Sequence, residues 1–199
     1  MILVIASTNQ HKIEEIRKIF NFPGMEINSL AQFPNIVPAV ENGATFRENA
    51  ELKARHYFHY LKQPVIADDS GLVVPALKGE PGVHSARYAG EQATYKENNQ
   101  RLLQKMTDLA DAQRDAYFVC VVVFYDGRKI LSAEGRAEGR ILREARGTNG
   151  FGYDPLFYYR PAKRTFAELA AEEKNSISHR CRALQGLKEK LAEIVDNNS

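Results

Sequence analysis

The chain has little of what would place it in a specialised class. It has only two cysteines, Cys120 in an apolar run and Cys181 in a predicted helix, 61 positions apart. That usage reads as free thiols rather than a disulfide and implies a reducing, cytoplasmic setting. No apolar window reaches membrane-spanning length. Six apolar residues before Ser7, with no basic lead, are too few for a signal peptide. Repeats and low-complexity tracts are missing. The net charge is only +2, so nothing marks a nucleic-acid-binding surface, and a small anionic ligand would need a local basic cluster. What is present is ordinary globular usage, 44% apolar and 26% charged. Over 199 residues that suffices for one domain, residues 1–199, or for two intimate lobes.

The most informative stretch is Pro64-Val65-Ile66-Ala67-Asp68-Asp69-Ser70-Gly71-Leu72. Three apolar residues predict a short buried strand, and Gly71 predicts a turn as the chain leaves it. Asp68 and Asp69 then stand together at the strand's C-terminal end, where they repel each other and lose solvent. A divalent cation held by hard carboxylate oxygens would offset that cost. The pair reads equally as the cap of the following turn.

Met1 to Ala6 is apolar throughout, as in a strand buried on both faces. Asn9 is a good N-cap for a helix in which Ile13, Ile16, Ile19 and Phe20 recur at helical spacing. A strand, a short polar turn and a helix N-terminus form an arrangement whose free N–H groups hold phosphates. Lys12 in the first turn opposes the helix dipole unless an anion is present; otherwise it is a solvated surface lysine. The turn lacks the glycines of a Walker loop.

Residues 21–44 are irregular, with Pro23, Pro34 and Pro38 and a short strand at Met25 to Leu30. Glu41, in a turn with Asn42 and Gly43, reads as an exposed acid or as a second cation ligand if the fold brings it near Asp69. Thr45 and Glu48 form a capping box for a helix to Leu61. Its apolar stripe is Phe46, Ala50, Ala54, Tyr57 and Leu61, with Lys53 and Arg55 off it.

Leu72 to Leu77 predicts another strand, broken by Pro75. A long loop with Gly79, Pro81, Gly82 and Gly90 carries His84, Arg87 and Tyr88, and reads as a lid or partner contact. His84 by itself reads as a surface residue. Thr94 and Glu97 cap the next helix. Ala116 to Tyr125 is the strongest strand signal, folded back through Asp126-Gly127 onto Lys129 to Ile141. Gly135 and Gly139 predict a bulge or strong curvature there.

Gly147-Thr148-Asn149-Gly150-Phe151-Gly152-Tyr153-Asp154-Pro155 fits neither strand nor helix. Glycine lets backbone approach a ligand closely. Phe151 or Tyr153 reads as a stacking surface for a base, with Asp154 accepting from a ring N–H; the aromatics read equally as core under a turn. Leu156 to Tyr159 is predicted as a last strand, and Thr165 with Glu168 as the cap of a helix to Lys174. A final helix carries Ile177, Cys181, Leu184, Leu187, Leu191 and Ile194. Lys174, His179 and Arg180 near its start repeat the charge anomaly of Lys12.

Five motifs in order resemble one known family. They are Ser7-Thr8-Asn9-Gln10-His11-Lys12, Thr45-Phe46-Arg47-Glu48-Asn49-Ala50, Ala67-Asp68-Asp69-Ser70-Gly71-Leu72, Phe151-Gly152-Tyr153-Asp154 and Ser178-His179-Arg180. Together they are similar to the non-standard purine NTP pyrophosphatases, the inosine/xanthosine triphosphate pyrophosphatase family. The resemblance implies an elongated mixed α/β fold of two lobes around a central cleft, in a homodimer. It implies Mg²⁺-dependent hydrolysis of dITP, ITP and XTP to the monophosphate and pyrophosphate. By position, Ser7, Thr8, Asn9, Gln10, His11 and Lys12 would hold the triphosphate, with Lys53 adding charge. Glu41 and Asp69 would serve the metal, Asp69 would be the favoured general base, and Ser70 would contact the ligand. Phe151 would stack on the purine, Gly152, Tyr153 and Asp154 would shape its pocket, and Lys174, His179 and Arg180 would read the base. The chain departs from the family in having Ser7-Thr8 where many members have Thr-Gly. Two other readings are a Maf-like pyrophosphatase acting on pyrimidine or modified nucleotides, and a nucleotide-binding protein without turnover.

Overall fold

In a computed structural model, the structure describes residues 2–20 and 24–196, and the side chains as far as residue 192. Met1, Pro23 and the Ile194 side chain lie outside the described residues.

The sheet has seven strands in the order β2-β1-β3-β4-β5-β6-β7. These are β1 (Ile2–Ile5), β2 (Glu26–Ser29), β3 (Val65–Val73), β4 (Asp115–Tyr125), β5 (Ile130–Ile141), β6 (Phe157–Tyr159) and β7 (Arg164–Thr165). β1 runs parallel to β2 and β3, while β6 is antiparallel to β5 and β7, so the sheet is mixed as expected. The helices are α1 (Gln10–Ile19), α2 (Phe46–Leu61), α3 (Tyr95–Lys105), α4 (Ala171–Ile177) and α5 (His179–Asp196).

The chain divides into two compact units of interleaved segments. The first comprises Met1–Asp69, Cys120–Gly135 and Arg180–Ser199. β1 and β3 are covered on both faces, which is why β1 is apolar without alternation. Leu3, Ile5 and Ile66 pack with Ile13, Ile16 and Phe20 of α1 and Ala183, Leu184 and Leu187 of α5. Val4, Val65 and Ala67 pack on the opposite side with Ala50, Ala54 and Tyr57 of α2. Both cysteines are buried and neither is in a disulfide, as read from the sequence.

The second unit comprises Ser70–Val119 and Arg136–His179. Its core joins Leu72 and Val74 to Leu102 and Met106 of α3 and to an aromatic group containing Phe118, Phe157 and Phe166. Arg114, 1% exposed, donates to the carbonyls of Met106, Ile141 and Leu142 and so ties the end of α3 to the end of β5. Burial, then the neighbouring Arg143 charge, lowers the pKa of its guanidinium.

Several predicted boundaries move. β3 does not turn at Gly71 but continues to Val73, and Pro75–Leu77 is a 3₁₀ turn rather than part of a strand. Gly139 lies inside an unbroken β5; a β-carbon there would sit 2.6 Å from the Phe157 ring and the Tyr158 carbonyl, so its role is close approach of β6. Thr165 and Glu168 cap a short 3₁₀ turn, and α4 starts separately. Ser178 is extended, so Ile177 belongs to α4 and not to the final helix. The Glu48 carboxylate accepts from the Ala44 N–H rather than completing a box with Thr45. The long loop is internally structured. It holds a 3₁₀ helix over Gly82–Arg87, its Ser85 hydroxyl accepts from Leu72 N–H, and Tyr88 donates to Glu80 at 2.7 Å.

Candidate active site

Asp68 and Asp69 lie within β3, and successive strand residues point to opposite faces. They therefore do not share one environment. Asp68 continues the side of Ile66, toward α1 and α5. Its Oδ2 accepts from Lys12 Nζ at 2.8 Å and lies 3.5 Å from Arg180 Nε, with the Cys120 thiol 3.9 Å away. Burial pushes the Asp68 pKa up, but Lys12, Arg180 and Lys53 outweigh it and hold the carboxyl well below the usual range. Burial and the Asp68 charge together drive the Cys120 thiol pKa up, so it is no nucleophile.

This cluster answers the two charge anomalies at helix starts. The anion facing Lys12 and Arg180 is Asp68, assisted by Glu15, which accepts from Arg180 Nη1 at 2.7 Å. Glu15 is a buried acid of α1 that the sequence reading passed over. Its signal in the sequence was its place beside Ile16 on α1.

Asp69 faces α2. Its Oδ2 accepts from Asn49 Nδ2 at 3.1 Å, and its Oδ1 lies 3.7 Å from Lys53 Nζ. Glu41 Oε2 lies 2.9 Å from the same ammonium, so Lys53 gathers Glu41 and Asp69. Lys53 is not off the apolar stripe; it is 8% exposed and falls with Asn49, Ala50, Ala54 and Tyr57 among the buried residues of α2. Burial raises the Asp69 pKa; Lys53 and the Asn49 hydrogen bond act against that, and Glu41 adds to it. Burial opposes the Lys53 charge, yet Asp69, Asp68 and Glu41 together raise its pKa. Asn49, quoted above without a role, also accepts from the Gly43 N–H at 2.8 Å, linking the Glu41 loop to Asp69.

A hard divalent cation fits this donor set. The oxygens of Glu41 and Asp69 are hard donors of the kind Mg²⁺ takes, through one or two carboxylates plus substrate phosphates, while the Lys53 ammonium that they hold competes with the ion for them. Among the described residues no three His, Cys, Asp or Glu side chains gather as a metal centre.

The turn before α1 is self-capped. Asn9 Oδ1 accepts from the N–H groups of His11 and Lys12, and Ser7 Oγ accepts from Asn9 N–H. Thr8, Gln10 and His11 are exposed, and Ser70 is half-buried.

Phe151, Gly152, Tyr153, Asp154, Lys174 and His179 belong to the second unit. Asp154, 2% exposed, accepts from Phe151 N–H at 2.8 Å and pairs with Lys174. The Lys174 ammonium lies 4.6 Å from the Phe151 ring centroid. Lys174 stands in the last turn of α4, not at a helix start. Tyr153 is buried and donates to the Ser85 carbonyl at 2.9 Å; burial, then Tyr88, raises its pKa. His179 is buried with its ring stacked on Phe118 at 4.9 Å.

Gly147 and Gly150 of the turn serve contacts within the protein, whereas a β-carbon on Gly152 would meet nothing within 4 Å. A β-carbon on Gly147, at φ +80°, would meet the Ala167 backbone at 2.3 Å, and one on Gly150 would meet the Asp154 carboxylate at 2.2 Å. Gly147→Ala is expected to cost at least about 1–2 kcal/mol from the left-handed backbone alone, read as a lower urea midpoint with unchanged slope.

Among the described residues the fold is a mixed α/β sheet that carries acid–lysine pairs on both faces of β3. Residues 3–190 match the model of the Ham1 family, and the chain belongs to that family. It is 48% identical to a dITP/XTP pyrophosphatase of Desulfotalea psychrophila over 97% of this chain and 86% of that protein. It is also 48% identical to one of Geobacillus kaustophilus over 97% of this chain and 95% of the relative. The solved HAM1 protein of Coxiella burnetii superposes with a TM-score of 0.90 at 41% identity, covering 97% of this chain and 99% of that one.

Proposed function

We propose that this chain is an enzyme that hydrolyses the purine nucleoside triphosphates dITP, ITP and XTP to the monophosphate and pyrophosphate, removing deaminated purines from the nucleotide pool. The observation that carries the reading is the gathering of Glu41 and Asp69 on Lys53, with Asp69 raised in pKa and Asp68 committed elsewhere. Relatives at 46–48% identity over nearly the full chain bear the name dITP/XTP pyrophosphatase, which does not favour the Maf-like alternative.

In this reading Ser7, Thr8, Asn9, Gln10, His11, Lys12, Lys53 and Ser70 bind the triphosphate. Asp69 accepts the proton of the attacking water, a task suited to a carboxylate whose pKa burial raises. Glu41 and Asp69 would hold Mg²⁺, which when bound neutralises phosphate charge. Phe151 stacks on the purine in a pocket shaped by Gly152, Tyr153 and Asp154. Lys174, His179 and Arg180 read the base, and a donor facing a 6-amino group is left unpaired, which rejects adenine where shape would not. A homodimer in the cytoplasm is part of the same proposal; two buried thiols outside any disulfide support that compartment.

The test is pyrophosphate release from dITP, XTP, dATP, dGTP and dTTP with and without Mg²⁺. Release from dITP and XTP that needs Mg²⁺ is expected. Equal rates on dATP and dITP would remove the base-reading part, and dITP binding with no release would leave the non-catalytic reading.

A further inference from the structure

We propose that helix α3 contributes to base recognition: Tyr95 extends the Phe151 shelf as a contact for the purine ring, and Asn99, one turn further on, holds that shelf in position. The inference rests on the function proposed above and adds residues to the same site. Tyr95 is the first residue of α3, where a capping box fixes the backbone: Glu97 accepts from Thr94 N–H at 2.7 Å and donates its own N–H to Thr94 Oγ1. Tyr95 is 52% exposed, and its ring lies 6.2 Å from that of Phe151 at a 40° tilt. The half-buried Phe151 thus has a lysine ammonium over its ring and a second aromatic within reach, open to solvent. Such platforms bind bases by stacking, because every base has a π-face.

Asn99 is the second observation. Its Nδ2 donates to the Gly152 carbonyl at 3.0 Å, next to Phe151. Its Oδ1 is buried and has no hydrogen-bond partner among the described residues. An unsatisfied buried acceptor costs stability, and leucine would occupy a similar volume without it. What the amide gains is its hold on the Gly152 carbonyl.

Calorimetric binding of inosine monophosphate and of tripolyphosphate, which has no base, separates this from a general structural role. Tyr95→Ala is expected to weaken inosine monophosphate binding about five- to tenfold and to raise KM for dITP similarly, with tripolyphosphate affinity unchanged. Asn99→Leu is expected to weaken inosine monophosphate in the same selective way without lowering Tm. Inosine monophosphate affinity within about twofold of the unsubstituted protein in Tyr95→Ala, or a parallel loss of tripolyphosphate, would overturn the inference. Failure of the unsubstituted protein to hydrolyse dITP would instead overturn the proposed reaction.

Discussion

Asp69→Asn is expected to lower dITP turnover by roughly 10²–10⁴-fold while leaving the protein folded and able to bind nucleotide. The amide keeps the shape of the carboxylate but can neither accept a proton nor ligate a cation strongly. Little structural damage should follow, because Lys53 keeps Glu41 as its partner at 2.9 Å and Asn49 keeps its bond from Gly43. Single-turnover pyrophosphate release alongside nucleotide binding separates lost chemistry from lost affinity. Turnover within tenfold of the unsubstituted enzyme would move the base elsewhere.

Its neighbour should behave in the opposite sense. Asp68→Asn is expected to cost about 3–5 kcal/mol of stability, because it removes the partner of two cations at a buried ion cluster. Lys12 and Arg180 would then lose the anion they share, and Glu15 would stay paired with Arg180. For a chain of this size the loss corresponds to a fall in Tm of about 6–20 °C. The sign with pH follows from the depressed pKa. Stability from Asp68 is complete above the unfolded value of about 3.9 and is lost as pH falls through the lower folded value. Asp68→Asn should therefore flatten the acid limb of a stability–pH curve, and urea melts across that range read it directly.

Much of the fold was legible because local rules and tertiary structure agree. Asn9 caps α1, Thr94 and Glu97 form their box, and Asp126 closes the β4–β5 turn by accepting from the N–H groups of Arg128 and Lys129. The extent of β3 was not legible. Asp-Asp-Ser-Gly carries every local signal of a turn, but each acid meets its cations from distant segments: Lys12 lies 56 positions from Asp68, and Arg180 lies 112. Those partners make it possible to run carboxylates through the middle of a covered strand. The same long-range pairing buries Lys53, whose ammonium meets Glu41 and Asp69. The break at Ser178 was hidden because the apolar period of α4 continues in phase into α5. Motif order located the candidate residues but could not reveal that two adjacent acids work on different faces.

Metal-free protein labelled with ¹³C at aspartate, followed by carboxyl NMR through an acid titration, tests that division most directly. Asp69 should show its inflection above the ordinary aspartate value of about 3.9, while Asp68 should stay ionised to the lowest pH at which the protein remains folded. Two acids titrating together, or Asp68 protonating first, would contradict the assignment of one to structure and the other to catalysis.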